Sequence, residues 1–186
     1  LEQRMLVEDG LPERDFGGKT FRILGDDACI DHYLCEEQTG DIMDDAVFQR
    51  NLAVTERFNI VLEAEVFPEA DMAKQLKNSV MAADDAYQLF SGHIIYAGNA
   101  VCDNVYYNLH DVPFIDFSKP WWPAATTESM TVAGQMYMMF NNISYNNLAQ
   151  TRIMFFNKEI IAEHSLKTIY DLVYDNEWVY EKFFEY

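Results

Sequence analysis

Gly17-Gly18-Lys19-Thr20-Phe21-Arg22-Ile23-Leu24-Gly25, then Ile60-Val61-Leu62-Glu63-Ala64-Glu65-Val66-Phe67, then Tyr87-Gln88-Leu89-Phe90 are the stretches that decide the fold class. In the first, Phe21 and Ile23 alternate with Thr20 and Arg22 behind a glycine turn, which is the two-residue period of a strand ending at Gly25. The second is rich in β-branched residues and alternates, and the third is short, apolar and closed by Ser91-Gly92. Between the first two, Asp41 or Asp44 can cap a helix reaching about Phe58, with Val47, Val54 and Phe58 on one face and Asn51 among them. Between the second and third, Pro68 stands at a helix start, and Ala73, Leu76 and Val80 repeat at helical spacing before Asp84-Asp85. Strand, helix, strand, helix, strand predicts an α/β fold with a mostly parallel sheet covered by helices, because parallel neighbours need a crossover connection. Ligands of such sheets sit beyond the carboxyl ends of the strands, here the loops starting at Asp26 and Ser91.

Past this unit the character changes. Residues 106–147 hold Pro113, Pro120 and Pro123, the pair Trp121-Trp122, and a hairpin-like run from Met130 to Phe140 turning at Ala133-Gly134. Arg152 to Phe156 reads as a further buried strand, followed by helical patterns at 158–164, 169–174 and 178–186. In the last of these, Val179, Phe183 and Tyr186 mark an apolar face with Trp178 and Phe184 beside it, and no capping signal follows. That pattern predicts either further sequence or self-association through the aromatic helix, and a truncated chain is the expectation.

The chain has 186 residues, of which 13 are basic and 31 acidic, a formal charge of −18, with 49% hydrophobic and 15% aromatic residues. The apolar content is that of a folded chain, and the length suits one domain or one domain and part of a second. The acidity argues against nucleic acid and anionic lipid surfaces as partners. No apolar run approaches the roughly 20 residues of a membrane span, and Leu1 to Gly10 has neither the basic nor the apolar part of a signal peptide, so a cytosolic or already processed chain is expected. Cys29, Cys35 and Cys102 form no C-x-x-C pattern; Cys29 and Cys35 could bridge in an oxidising compartment, or all three could be free thiols.

Most chemical motifs fail on spacing. Gly18-Lys19-Thr20 resembles the end of a P-loop, but Glu13 stands where that motif needs glycine, and a strand follows where it needs a helix. The acidic run from Asp26 to Glu37 has the length of a calcium loop, yet Ala28 and Ile30 occupy ligand positions and Asp31 replaces the turn glycine. His32, His93, His110 and His164 are scattered without zinc-site spacing, so no metal and no cofactor are expected. Ser91-Gly92-His93 lacks the nucleophile elbow of a serine hydrolase. The pairs Asp26-Asp27, Asp44-Asp45 and Asp84-Asp85 could supply an acid and a base, although capping accounts better for those at helix and turn boundaries. What remains is a set of strand-end loops carrying Asp26, Asp27, Ser91, Gly92 and His93, with the loop aromatics Tyr96, Trp121, Trp122 and Tyr145. Carboxylates that grip hydroxyls beside aromatic faces suit a polar-ligand site, while the flanking prolines equally suit core packing for Trp121 or Trp122.

In order and spacing, several of these stretches resemble the sugar-binding extracellular solute-binding proteins of ABC transporters. They are residues 17–24, Asp44-Asp45-Ala46-Val47-Phe48-Gln49-Arg50-Asn51, residues 56–60, and Asp85-Ala86-Tyr87-Gln88-Leu89-Phe90-Ser91-Gly92-His93. Asn108-Leu109 to Trp121-Trp122, Val132-Ala133-Gly134-Gln135-Met136-Tyr137 and Met154-Phe155-Phe156-Asn157-Lys158-Glu159 continue the likeness, which spans residues 12–186. The resemblance implies a lobe of the type II periplasmic-binding-protein fold. Residues 1–18 would be a polar lead, 19–150 most of the first lobe, and 151–186 the hinge crossing and start of the second.

The same resemblance implies a non-enzymatic protein, extracellular, at the cell surface or periplasmic, that captures a sugar or similar polar solute and delivers it to an ABC permease. A lipid tether on the unprocessed form belongs to that expectation. Its ligand loops map to Asp26 and Asp27, to Ser91, Gly92 and His93, and to Asn142, Ser144 and Tyr145. One lobe alone is expected to bind weakly. The alternatives are an interaction module without a transport role and a carboxylate-based glycoside hydrolase.

Overall fold

The computed structural model describes residues 6–140 and 143–186, which divide into two compact units, Leu1–Ala149 and Gln150–Tyr186. The first unit is α/β. Its strands β1 (Lys19–Asp26), β2 (Ile60–Phe67) and β3 (Leu89–Ser91) form a three-stranded parallel open sheet in the order β2-β1-β3, flanked by helices. The register pairs Gly25 with Val66 on one side and Ser91 on the other, so the carboxyl ends of all three strands finish at one edge.

The connections form for local reasons. Helix α1 (Ile42–Phe58) starts where the Asp41 carboxylate accepts from the amides of Met43 and Asp44 at 2.8 and 3.3 Å, and it ends at Asn59 in the left-handed region, a conformation asparagine tolerates well. Replacing Asp41 with alanine removes that cap and is expected to lower stability by about 0.5–2 kcal/mol in urea unfolding; an unchanged midpoint would contradict the capping role. Helix α2 (Glu69–Ala82) follows Pro68, with Glu69 and Asp71 complementing its N-terminal dipole. A short helix α3 (Ile94–Ala100) follows β3.

The core lies between the sheet and α2. Leu24, fully buried, packs with Met72 and Leu76 of α2, and Phe67, Tyr87, Phe90, Val105 and Tyr106 close around them. Ile23, one residue earlier and therefore on the opposite face, is also buried, as is Val47 of α1. β1 is thus covered on both sides at its carboxyl half, as expected for a central parallel strand. Cross-strand chemistry fixes the pairing: Arg22 is paired with Glu63 at 2.7 Å, and the amide of Gln88 donates to the Arg22 carbonyl at 3.0 Å.

Two sequence expectations need correction, at the hairpin and at Arg152 to Phe156, and two helix faces are narrower than their spacing. Val54 and Val80 sit at helical spacing but remain well exposed, because a three-stranded sheet covers only the central stripe of each helix. The hairpin at 130–140 is reduced to its turn. Val132 and Gln135 bridge across Ala133 and Gly134, both at positive φ, while helix α4 (Ala124–Met130) takes up the upstream arm. Arg152 to Phe156 is no strand. Ile153, Met154 and Phe155 are exposed, Phe155 at 89%, since an apolar run satisfies the local pattern but a strand also needs a neighbour's backbone.

After the short α5 (Asn146–Ala149), the second unit carries α6 (Lys158–Glu163), α7 (Ile169–Tyr174) and α8 (Tyr180–Glu185). Asn157 and Thr168 cap α6 and α7, and Ile161 and Leu172 are its buried apolar residues. The Lys167 ammonium holds Asp175 and Glu177, and the Tyr186 hydroxyl donates to the Lys167 carbonyl at 2.8 Å.

Candidate functional site

The carboxyl edge of the sheet is shaped by two close approaches. A side chain at Gly25 would meet Ile30 Cδ1 at 2.6 Å, so glycine lets the loop after β1 fold back over the strand end. At Gly92 a Cβ would stand 3.1 Å from the Phe90 ring and 3.2 Å from the Met72 methyl, which brings the backbone after β3 down onto the core. The two strand ends therefore lie one strand spacing apart, about 4.8 Å.

Asp26 is almost fully buried, and its carboxylate accepts from the Ala28 amide at 3.0 Å, with the Cys29 thiol nearby. It shapes the turn, leaving Asp27 as the exposed carboxylate of the pair. Burial and the adjacent Asp26 carboxylate push the Cys29 thiol up to about 11, so it stays protonated and unreactive near neutral pH. The three cysteines are free. Across the edge, Ser91 is half-buried and His93 exposed. His93 Nδ1 accepts the Ile95 amide at 3.2 Å, which leaves Nε2–H of the neutral ring as an outward donor. The Tyr96 ring lies edge-on to the imidazole, 6.1 Å between centroids. Asp27 and the Ser91–His93 segment thereby stand at adjacent strand ends, with the Tyr96 phenol in the first turn of α3.

A second cluster hangs on the same loop after β1. His32 Nδ1 lies 2.9 Å from Ser144 Oγ, and its ring stacks on Tyr145 at 3.7 Å. Arg50 of α1 holds this arrangement: its guanidinium donates to the carbonyls of His32, Tyr33 and Ile143 at 3.3, 3.0 and 2.6 Å and to Asn51 Oδ1. Burial lowers the affinity of Arg50 for its proton without removing its charge, while burial and the carboxylates of Asp44, Asp31 and Asp41 raise the Tyr145 phenol. Ser144 and Tyr145 are thus joined to the first strand-end loop by two residues, His32 and Arg50, that sequence reading left out of the site. The signal was a polar pair, Arg50-Asn51, on a helix face otherwise read as apolar. Asn142 lies outside the described residues.

The tryptophans belong to another segment. Trp122 packs on Phe117 at 5.0 Å, Phe117 meets His110 at 5.3 Å, and Lys119 sits over the Trp121 ring while donating to the Glu8 carbonyl. The other acidic pairs organise turns. Asp45 accepts from the amides of Thr39 and Gly40, Asp44 takes the Thr39 hydroxyl, and Asp84 takes the Ser79 hydroxyl and the Ala86 amide, which together hold Asp84 below the usual carboxylate range. Among the described residues, no three His, Cys, Asp or Glu side chains converge as a metal site, and no helix is long and apolar enough to cross a membrane.

Compared with family models, curated proteins and solved structures, the chain matches none.

Proposed function

We propose that this chain binds a small polar solute, a carbohydrate or a chemically similar molecule, at the carboxyl edge of its sheet, without catalysis. It would do so as part of the extracellular solute-binding component of an ABC importer with the two-lobed type II periplasmic-binding-protein fold, delivering the solute to the permease. The observation that carries this reading is the placement of Asp27 and of Ser91 and His93 at adjacent strand ends, with Tyr96 edge-on to His93, while the loop after β1 also carries His32 with Tyr145 stacked on it. Such a surface offers acceptors, donors and aromatic rings, which is what recognition of hydroxyl-rich molecules requires. The buried Asp26 and the turn-bound Asp44, Asp45 and Asp84 favour binding over carboxylate catalysis, because Asp26, Asp45 and Asp84 already accept backbone amides and Asp44 the Thr39 hydroxyl.

A thermal-shift panel of mono- and oligosaccharides, amino acids, short peptides and metal ions tests it. One class of sugar is expected to raise the melting temperature, since a ligand at 100 times its Kd stabilises the native state by about 2.7 kcal/mol. Asp27→Asn with Ser91→Ala is expected to abolish the shift while leaving the ligand-free melt unchanged. A shift from amino acids or metal ions instead, or one that survives both substitutions, would overturn the assignment.

The interaction-module reading is favoured by one observation: Phe155, Tyr174, Tyr180 and Phe184 all stand exposed in the 150–186 unit. It takes precedence if no solute shifts the melt and light scattering finds self-association that Phe184→Ser abolishes.

A further inference from the structure

On the side of the sheet away from β3, β2 has an edge of its own. β2 pairs with β1 along all eight residues and has no described neighbour on its other side, so about 26 Å of backbone edge is unpaired. Natural edge strands are commonly blunted by proline, lysine, bulges or shortness. Ile60–Phe67 contains neither proline nor lysine and pairs without a bulge. Its two charges do not guard the edge either: Glu63 is drawn back by Arg22 and Glu65 accepts from the Tyr87 hydroxyl, while Val61 and Val66 stand exposed.

Beside that edge run two open depressions. One, of about 290 Å³, is lined by Leu34, Phe48, Leu52 and Leu62 between α1 and the strand. The other, of about 790 Å³, places Asp31, Glu36, Glu37 and Asp44 around Leu34, Leu62 and Val66. No lysine or arginine lines either. Among the described residues no cation pairs with any of these four carboxylates.

We propose that the outer edge of β2 accepts an extended cationic segment of another protein chain, added to the sheet as a further strand. Main-chain hydrogen bonds would join it to β2, its apolar side chains would enter the Leu34–Leu62 depression, and its basic side chains would lie over Asp31, Glu36, Glu37 and Asp44. Strand addition draws affinity from the backbone and selectivity from alternate side chains, and here the carboxylates set the selectivity. A second copy of this chain fits poorly, since it would bring the same carboxylates and a charge of −18 to the contact. The proposal does not require a solute, although Asp31 and Asp44 also lie near Tyr145.

The probes are three labelled synthetic peptides read by fluorescence anisotropy: alternating lysine and valine, alternating glutamate and valine, and the lysine peptide with its central valines replaced by proline. The lysine–valine peptide is expected to bind saturably and to weaken with salt, the glutamate peptide not to bind. The proline peptide is expected to bind at least about tenfold more weakly, because it keeps the charge but loses the strand's donors. Glu36→Lys with Glu37→Lys, both on an exposed loop, is expected to weaken the lysine–valine peptide about tenfold with an unchanged circular dichroism spectrum. Equal binding of the two lysine peptides would reduce the effect to bulk charge and overturn strand addition. So would no binding, or a dimer in light scattering that Val66→Lys dissolves, which would assign the edge to a second copy.

Discussion

Leu24→Ala is expected to destabilise the chain by about 2–5 kcal/mol, the range for removing a buried leucine from a packed core. Leu24 is fully buried against Met72 and Leu76 and lies in register with Phe90, so truncation opens a cavity between the strands and α2. The neighbours cannot collapse freely into it. Met72 already touches the position above Gly92, and Tyr106 is held by its hydroxyl to the Ala97 carbonyl at 3.1 Å. Urea unfolding should show a lower midpoint at an unchanged slope. A loss below about 1 kcal/mol would mean that the core is not the closed cluster described.

Arg50→Ala is expected to cost about 1.5–3 kcal/mol, the range for hydrogen bonds to a charged group. It should also separate Tyr145 from His32. The guanidinium serves three backbone carbonyls from two loops at once, those of His32 and Tyr33 after β1 and that of Ile143. Lysine offers one ammonium in place of a planar fork, so Arg50→Lys should recover little of the loss. Ring-current shifts of the His32 protons report the 3.7 Å stack directly and should vanish in both variants. Retention of the stack and full stability in Arg50→Lys would show that a single positive charge suffices and that the fork geometry is irrelevant.

The elements of 17–92 were legible because each carries its own signal. β1 and β2 alternate, α1 opens on Asp41, α2 opens behind Pro68, and β3 closes at Ser91-Gly92. These are interactions between residues a few positions apart, and no partner is needed to read them. Arg152 to Phe156 misled for the complementary reason: its apolar run has the composition of a strand, and composition says nothing about whether another backbone lies alongside. The site divided in the same way. Asp26 was visible as a strand-end acid, but its burial, and hence the exposure of Asp27 alone, depended on Ala28 and Cys29 folding back over it. His32 looked like one of four scattered histidines until Ser144, 112 positions away, came within 2.9 Å of its ring.

The order and kind of elements in the α/β unit, the acidic character and the strand-end location of the loops are therefore written in local sequence. Periodicity, capping and charge are properties of short windows and survive without a fold. The strand order β2-β1-β3, the open edge of β2 beside its acidic groove, the burial of Asp26 and the Arg50 anchor of the His32 loop come from the fold instead. Each of these is a contact between residues far apart in the chain. Its free energy arises from the surface and the hydrogen bonds that two distant segments remove from water together, and no local pattern records that pairing.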